Sequence, residues 1–256
     1  MIKVLVFSDI HMTYNAFDYV SPRINQKIEE RLKNVSPDII AANGDIAEET
    51  IEFIAEKAGK YDIPVFFVGG NHDFYDPSKI PNVTDIHRKV VKLEVDGREI
   101  TLAGIEGCIK YGKEDIHLRG YDDSNAGIVL EEKYYTKEKD YSWVVENFRN
   151  QDGRFIGKLP KGIDLLLCHC APTGGLQYPP HESPPSLAQL LLERCPKTVI
   201  HGHLHKNYEF TFNPYKHPVK IISVFTFSPF DNIHTVGKII ELNEPSNKLN
   251  CEKAIN

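Results

Sequence analysis

The sequence of 256 residues offers little that would carry it to a membrane, an oxidising compartment or a long polyanion. No window approaches the roughly 20 consecutive apolar residues that a membrane-spanning helix requires. The opening stretch MIKVLVFSDIH lacks a basic region followed by a long apolar run, and it reads as a strand rather than a signal peptide. The five cysteines (Cys108, Cys168, Cys170, Cys195 and Cys251) are odd in number and contain no C-x-x-C spacing. They read as reduced, mostly buried thiols of a cytoplasmic protein. Basic residues are not in excess. A net charge of −6 gives no global attraction to nucleic acid and disfavours a long one as partner. There is no internal repeat and no low-complexity tract.

What is present is an ordinary globular composition, 41% apolar and 26% charged, in a chain long enough for one large domain or two small ones. Short runs rich in Val, Ile and Phe recur and read as strands: Ile2 to Phe7, Asp38 to Ala42, Val65 to Val68, Asp164 to Cys168, Thr198 to Ile200, Tyr208 to Phe212, Val219 to Thr226 and Val236 to Leu242. Val90 to Val95 and Glu99 to Ala103 flank Asp96-Gly97, a hairpin turn signal. Ser21-Pro22 can open a helix that carries Ile24, Ile28 and Leu32 on one face, and Glu48 to Lys57 and Ser186 to Cys195 read as further helices. This alternation predicts an α/β (α+β) chain with a mixed sheet or two stacked sheets and helices outside. Residues 107–162 are charged and aromatic, with one predicted helix from Tyr141 to Arg149. They read as an insertion into a single domain spanning 1–256, because they hold too few apolar positions to close a core of their own.

The strand ends are unusual. The predicted strands run out into Ser8-Asp9-Ile10-His11, Asn43-Gly44-Asp45, Gly70-Asn71-His72-Asp73, Cys168-His169-Cys170 and His201-Gly202-His203-Leu204-His205. Open α/β sheets bind ligands outside the carboxyl ends of their strands, so these side chains converge if the strands are neighbours. Clustered carboxylates and imidazoles without a countercharge are poorly solvated and mutually repulsive. Divalent cations remove that difficulty, and Asp, Asn and neutral His are suitable ligands. The set Asp9, His11, Asp45, Asn71, His169, His203 and His205 is too large for one ion and suits two. Any one of these motifs alone has a blander reading, as a helix cap, a turn or a weak His-rich tract. Their joint occurrence after successive strands carries the argument.

In that order the motifs D-x-H, GD, GNH[ED], a lone His and GHxH resemble the calcineurin-like metallophosphoesterases, and all five blocks are intact between residues 9 and 205. The resemblance implies a four-layer fold of two stacked mixed β-sheets flanked by helices. It implies that Asp9, His11 and His205 hold one ion, that Asn71, His169 and His203 hold a second, and that Asp45 bridges them. The ions implied are two divalent metals from among Mn²⁺, Fe²⁺/Fe³⁺, Zn²⁺ and Ni²⁺. His72 then faces a small phosphate-ester substrate. Two ions about 3.5–4 Å apart would clamp the attacking and leaving oxygens, a bridging hydroxide would attack phosphorus, and His72 would protonate the departing oxygen. Asp73 either steadies the His72 imidazolium or caps the loop.

Other polar residues near these motifs have plainer readings. His201 is expected to be a packing residue or one lying just behind the ligands, and Cys168 and Cys170 to be buried strand fillers. His87, His117, His181, His217 and His234 read as surface or loop residues, and Lys206 as an exposed lysine. Where the Ser/Thr protein phosphatase branch resembles GD-x-x-D-R-G, this chain has Gly44-Asp45-Ile46-Ala47-Glu48-Glu49 and no arginine. Phosphodiesters or small organic phosphates are therefore favoured over phosphoproteins. A nuclease of the same family, and a non-catalytic scaffold that kept the fold, are the alternatives; the intact ligand set argues against the scaffold.

Overall fold

The computed structural model describes residues 1–10, 17–70, 73, 75–105, 120–122, 127–129, 158–169, 171, 194–212, 218–226 and 236–242. In chain order the strands are β1 (Ile2–Phe7), β2 (Ile39–Asn43), β3 (Val65–Val68), β4 (Val83–Asp85), β5 (Val90–Val95), β6 (Arg98–Ile105), β7 (Gly120–Asp122), β8 (Gly127–Val129), β9 (Leu165–Cys168), β10 (Thr198–His201), β11 (Tyr208–Phe212), β12 (Val219–Ser223) and β13 (Lys238–Leu242). The helices are α1 (Phe17–Val35) and α2 (Glu48–Gly59).

Two mixed sheets result. The first has the order β13-β1-β2-β3-β4, with β1 to β4 parallel and β13 antiparallel at the edge. The second has the order β11-β12-β10-β9-β6-β5, parallel in its four central strands and antiparallel at both edges. Strands β7 and β8 form a separate two-stranded ribbon inside the expected insertion.

The period-two alternation of the strands sorts the core into layers. Val4 and Val6 of β1 join Ile39, Val68, Leu102, Leu165, Ile200 and Ile222 between the sheets. Leu5 and Phe7 point the other way, onto Ile24, Ile28 and Leu32 of α1 and Ile51, Ile54 and Ala55 of α2. Val199, Ile221 and Leu166 line the outer face of the second sheet, where Leu159 and Ile163 pack. Both faces of the central strands are thus covered, which explains their nearly continuous apolar composition.

Asp96 and Gly97 turn the β5–β6 hairpin with φ of 51° and 73°, as an Asp-Gly turn of paired positive φ requires. The helix expected to start at Ser21-Pro22 begins at Phe17, so Pro22 lies within α1 and removes one hydrogen bond from its second turn. Four of the described elements carried no sequence signal: β4, β7 and β8, of three residues each, and the short 3₁₀ turn Pro77–Lys79, which Asp76 caps by accepting from the Ser78 N–H. The helix expected at 141–149 and nearly all of that expected at 186–195 lie outside the described residues. No helix among the described residues is long and apolar enough to cross a membrane.

Candidate metal centre

The parallel strands of both sheets end along one edge of the sandwich, and hydrogen bonds tie the two sheets together there. The Ser8 N–H, just past β1, donates to the Thr226 hydroxyl at 2.9 Å, and the Thr226 N–H donates back to the Ser8 carbonyl at 3.0 Å. Asn43, at the end of β2, donates its side-chain amide to the Cys168 carbonyl at the end of β9 at 3.0 Å. The next residues after these strand ends, Asp9, Gly44-Asp45 and His169, are therefore brought to one place.

Asp9 is fully buried. Its carboxylate accepts from the Ser8 hydroxyl at 2.6 Å and from the His203 N–H at 3.0 and 3.1 Å, and Oδ1 lies 3.5 Å from Nε2 of His205. Burial pushes the Asp9 carboxyl above its ordinary range, and the nearby Asp45 carboxylate adds to the rise; His169, the Ser8 hydroxyl and His205 act against it. Asp45 is also buried, with Oδ2 3.2 Å from Nε2 of His169. Nδ1 of His169 lies 3.0 Å from the Asn43 carbonyl, an acceptor, so Nδ1 carries a proton and the other ring nitrogen turns to Asp45. His203 meets His169 edge-on at 5.3 Å, and His205, half exposed, stacks on Phe225 at 5.1 Å.

Asp45, His169 and His203 each offer a ligand atom, and these atoms lie within 4.8 Å of one another. With Asp9 and His205 alongside, the donor set is two carboxylates and three imidazoles, which is suited to divalent transition ions. Two carboxylates held this close, one of them with its pKa raised by burial, are the electrostatic situation that a cation relieves. The residues present fit the expected metals.

The backbone here is bent to serve the side chains. Of the ten non-glycine residues with positive φ among the described residues, four are Asp9, Asp45, His203 and His205, at 53°, 53°, 66° and 49°. Such left-handed conformations persist only where the surroundings impose them. Glycine supplies the close approaches. A Cβ on Gly70 would meet the Asp45 backbone nitrogen at 2.6 Å, and one on Gly202 would meet Oδ2 of Asp9 at 2.5 Å.

Of the expected ligands the structure brings together Asp9, Asp45, His169, His203 and His205. His11, Asn71 and His72 lie outside the described residues. Asp73 is buried and accepts from the Asp45, Ile46 and Gly70 N–H groups at 2.8, 2.9 and 2.7 Å. These three bonds are those of a loop cap, one of its two expected roles, and they lock the Asp45 loop onto the end of β3; the other role involves His72, which lies outside the described residues.

His201 is fully buried behind the ligands, bonded to Tyr208 and to the Gly202 carbonyl, and burial pushes its imidazole down to about 4. Cys168 is a buried thiol on the outer face of the second sheet, pushed above its ordinary pKa by burial. Cys170 and the histidines at 117, 181, 217 and 234 lie outside the described residues; His87 is half-buried and Lys206 is exposed. Sequence reading did not single out Ser8, Asn43, Thr226 or Tyr208. Their partners lie up to 218 positions away, and serine or threonine at a strand end carries no local signal of such a contact.

A family model described as calcineurin-like phosphoesterase matches residues 2–207, from β1 to just past the Gly202–His205 turn. Curated proteins give no match. Among solved structures, a dimetal phosphatase from Danio rerio is similar at 11% identity over 88% of this chain and 87% of that one, with a TM-score of 0.47. A 5'-nucleotidase precursor from Thermus thermophilus is similar at 12% identity over 88% of this chain and 48% of that one, with a TM-score of 0.46.

Proposed function

The chain belongs to the calcineurin-like phosphoesterase family of metal-dependent phosphoester hydrolases, and from that premise we propose that it hydrolyses phosphodiesters or small organic phosphates at a centre of two divalent ions. In this reading Asp9, His11 and His205 hold one ion, Asn71, His169 and His203 hold the other, and Asp45 is shared. The 3.5 Å approach of His205 to Asp9, and the grouping of Asp45 with His169 and His203, support that division. Bound there, the ions supply Lewis acidity toward the phosphoryl oxygens and lower the pKa of water. Mn²⁺, Fe²⁺/Fe³⁺, Zn²⁺ and Ni²⁺ all suit such a donor set.

The chain's own groups do the rest. Asn43 holds His169 in the tautomer that presents Nε2 to the centre. Asp73 fixes the Asp45 loop through three backbone donors. His72, between Gly70 and Asp73 in the chain, donates a proton to the departing oxygen.

One observation carries the substrate class. Past Asp45 the chain runs through Ile46 and Ala47 into α2 with Glu48 and Glu49, both exposed in the first helical turn. An arginine there would clamp a phosphomonoester; two carboxylates instead disfavour its near-dianion more than the monoanion of a diester. We assign residues 107–162 to the substrate rim of the same domain, because the chain enters this segment from Ile105, which is in register with Cys168 beside His169. We place the protein in the cytoplasm, a reducing compartment that suits the buried free thiol of Cys168.

The test is a panel of phosphodiesters and phosphomonoesters assayed with protein stripped of metal and reloaded with Mn²⁺. Diesters should be turned over faster at matched leaving groups. A consistent preference for monoesters would overturn the substrate assignment, and full activity in metal-free protein would overturn the metal centre.

A further inference from the structure

The turn that follows β10 is held from behind by two residues, His201 and Tyr208, that are outside the expected ligand set. His201, the last residue of β10, is paired in register with Ser223 of β12, and Ser223 is paired with Tyr208 of β11. The three lie in one row across the second sheet, and the His201 ring reaches along it. Its Nε2 is 2.8 Å from the Tyr208 hydroxyl, with the rings tilted at 56° and 5.4 Å apart. Its Nδ1 is 3.0 Å from the Gly202 carbonyl.

A carbonyl oxygen only accepts, so Nδ1 must carry the proton. Nε2 of the neutral ring then has a lone pair, and the Tyr208 hydroxyl is its donor. The chain of donors runs one way, from Tyr208 to His201 to the Gly202 carbonyl. That carbonyl also accepts from the Leu204 N–H at 2.8 Å, and the Gly202 N–H donates to the His169 carbonyl at 3.0 Å. The next N–H, from His203, reaches Asp9. This short turn therefore ties His169, Asp9, His203 and His205 together, and both of its histidines hold positive φ. Such a turn needs something rigid to impose it.

We propose that His201 and Tyr208 are positioning residues for the metal centre: the Tyr208 hydroxyl locks the buried His201 ring in one tautomer, and that ring fixes the Gly202 carbonyl and the turn presenting His203 and His205. The proposal rests on the reading of those two histidines as ligands. Replacing Tyr208 by Phe removes the hydroxyl and leaves the ring shape in place. Nε2 then loses its donor, the proton is free to move to that nitrogen, and a lone pair on Nδ1 would face the Gly202 carbonyl.

The experiment has two arms, both using the full chain. Long-range ¹⁵N–¹H correlation spectra of the metal-free protein should show His201 as the neutral, Nδ1-protonated tautomer, with Tyr208→Phe shifting it toward the other form. Mn²⁺ titrations should show Tyr208→Phe binding about ten-fold more weakly than wild type. His201→Leu should lose at least as much, and His201→Asn, whose amide can still donate to Gly202, should recover most of it. An Nδ1-unprotonated His201 in the wild-type spectrum overturns the proposal whether or not any variant folds. Equal Mn²⁺ affinity in wild type and Tyr208→Phe overturns it too, and leaves the dinuclear reading standing. A wild-type chain that takes up no ion contradicts that reading, and this one with it.

Discussion

The two ends of the sandwich use the same residue type in opposite ways. At the amino end of β9, Asp164 sits among the chain's own cations: Lys197 at 2.7 Å and Arg98 at 3.7 Å, with the Thr101 N–H donating to its other oxygen at 2.9 Å. Arg98 also donates to the Leu242 carbonyl of β13, so this charge cluster clasps the two sheets together. At the carboxyl end, Asp9 and Asp45 are buried with imidazoles, a hydroxyl and backbone N–H groups around them, and burial raises the Asp9 pKa. The contrast is between carboxylates balanced by the fold and carboxylates that the fold holds ready for a cation from outside. A buried charge stabilises only when it is paired, so the second arrangement spends folding free energy on a site.

That contrast breaks most visibly at Asp45. Asp45→Asn should reduce hydrolysis of an activated phosphodiester to no more than the rate of chelator-treated wild type, because in the proposed centre this one ligand would serve both ions. Elemental analysis should show fewer than two ions per chain, and a variant that keeps two tightly held ions would show that Asp45 does not bridge. His72→Ala should instead keep its ions. Its rate should fall by about 10²–10⁴-fold with basic leaving groups and much less with activated ones, as loss of a general acid does. A deficit independent of leaving-group pKa would assign His72 to the phosphoryl oxygens instead.

The remaining two predictions concern stability in chelator. His201 has its pKa lowered from 6.5 to about 4 in the fold, so between those values the unfolded chain binds more protons than the native one. The stability held above pH 6.5 is therefore lost as pH falls toward 4, by up to about 3 kcal/mol. Denaturant titrations at pH 7 and pH 4.5 should show a smaller loss in His201→Asn than in wild type; equal losses would show that His201 is not buried neutral. At the opposite end, Asp164→Asn should lower stability by about 1–2 kcal/mol, since its cations are partly exposed. It should leave Mn²⁺ binding unchanged. Weaker binding in that variant would join the two ends that this account separates.

Much of this was legible in the residues. The near-continuous apolar runs announced strands covered on both faces, and the polar residues just beyond them announced a shared edge. Asp96-Gly97 announced its hairpin. What was not legible is long-range or too short to have a period. β4 has three residues, below any pattern, and Pro22 pointed to a helix start that α1 places five residues earlier. The supports of the site were hidden for a different reason. Ser8 and Thr226 meet only because β1 and β12 end at one edge of two different sheets, and Tyr208 reaches His201 across the intervening β12. Single-sequence reading can find groups that bind; the groups that hold them depend on tertiary pairing.

The most direct test of the central claim is anomalous diffraction at the manganese edge from crystals grown with Mn²⁺. Two peaks are expected about 3.5–4 Å apart, one beside Asp9 and His205, the other beside His169 and His203, with Asp45 between them. A single peak, or two peaks away from Asp45, would contradict it.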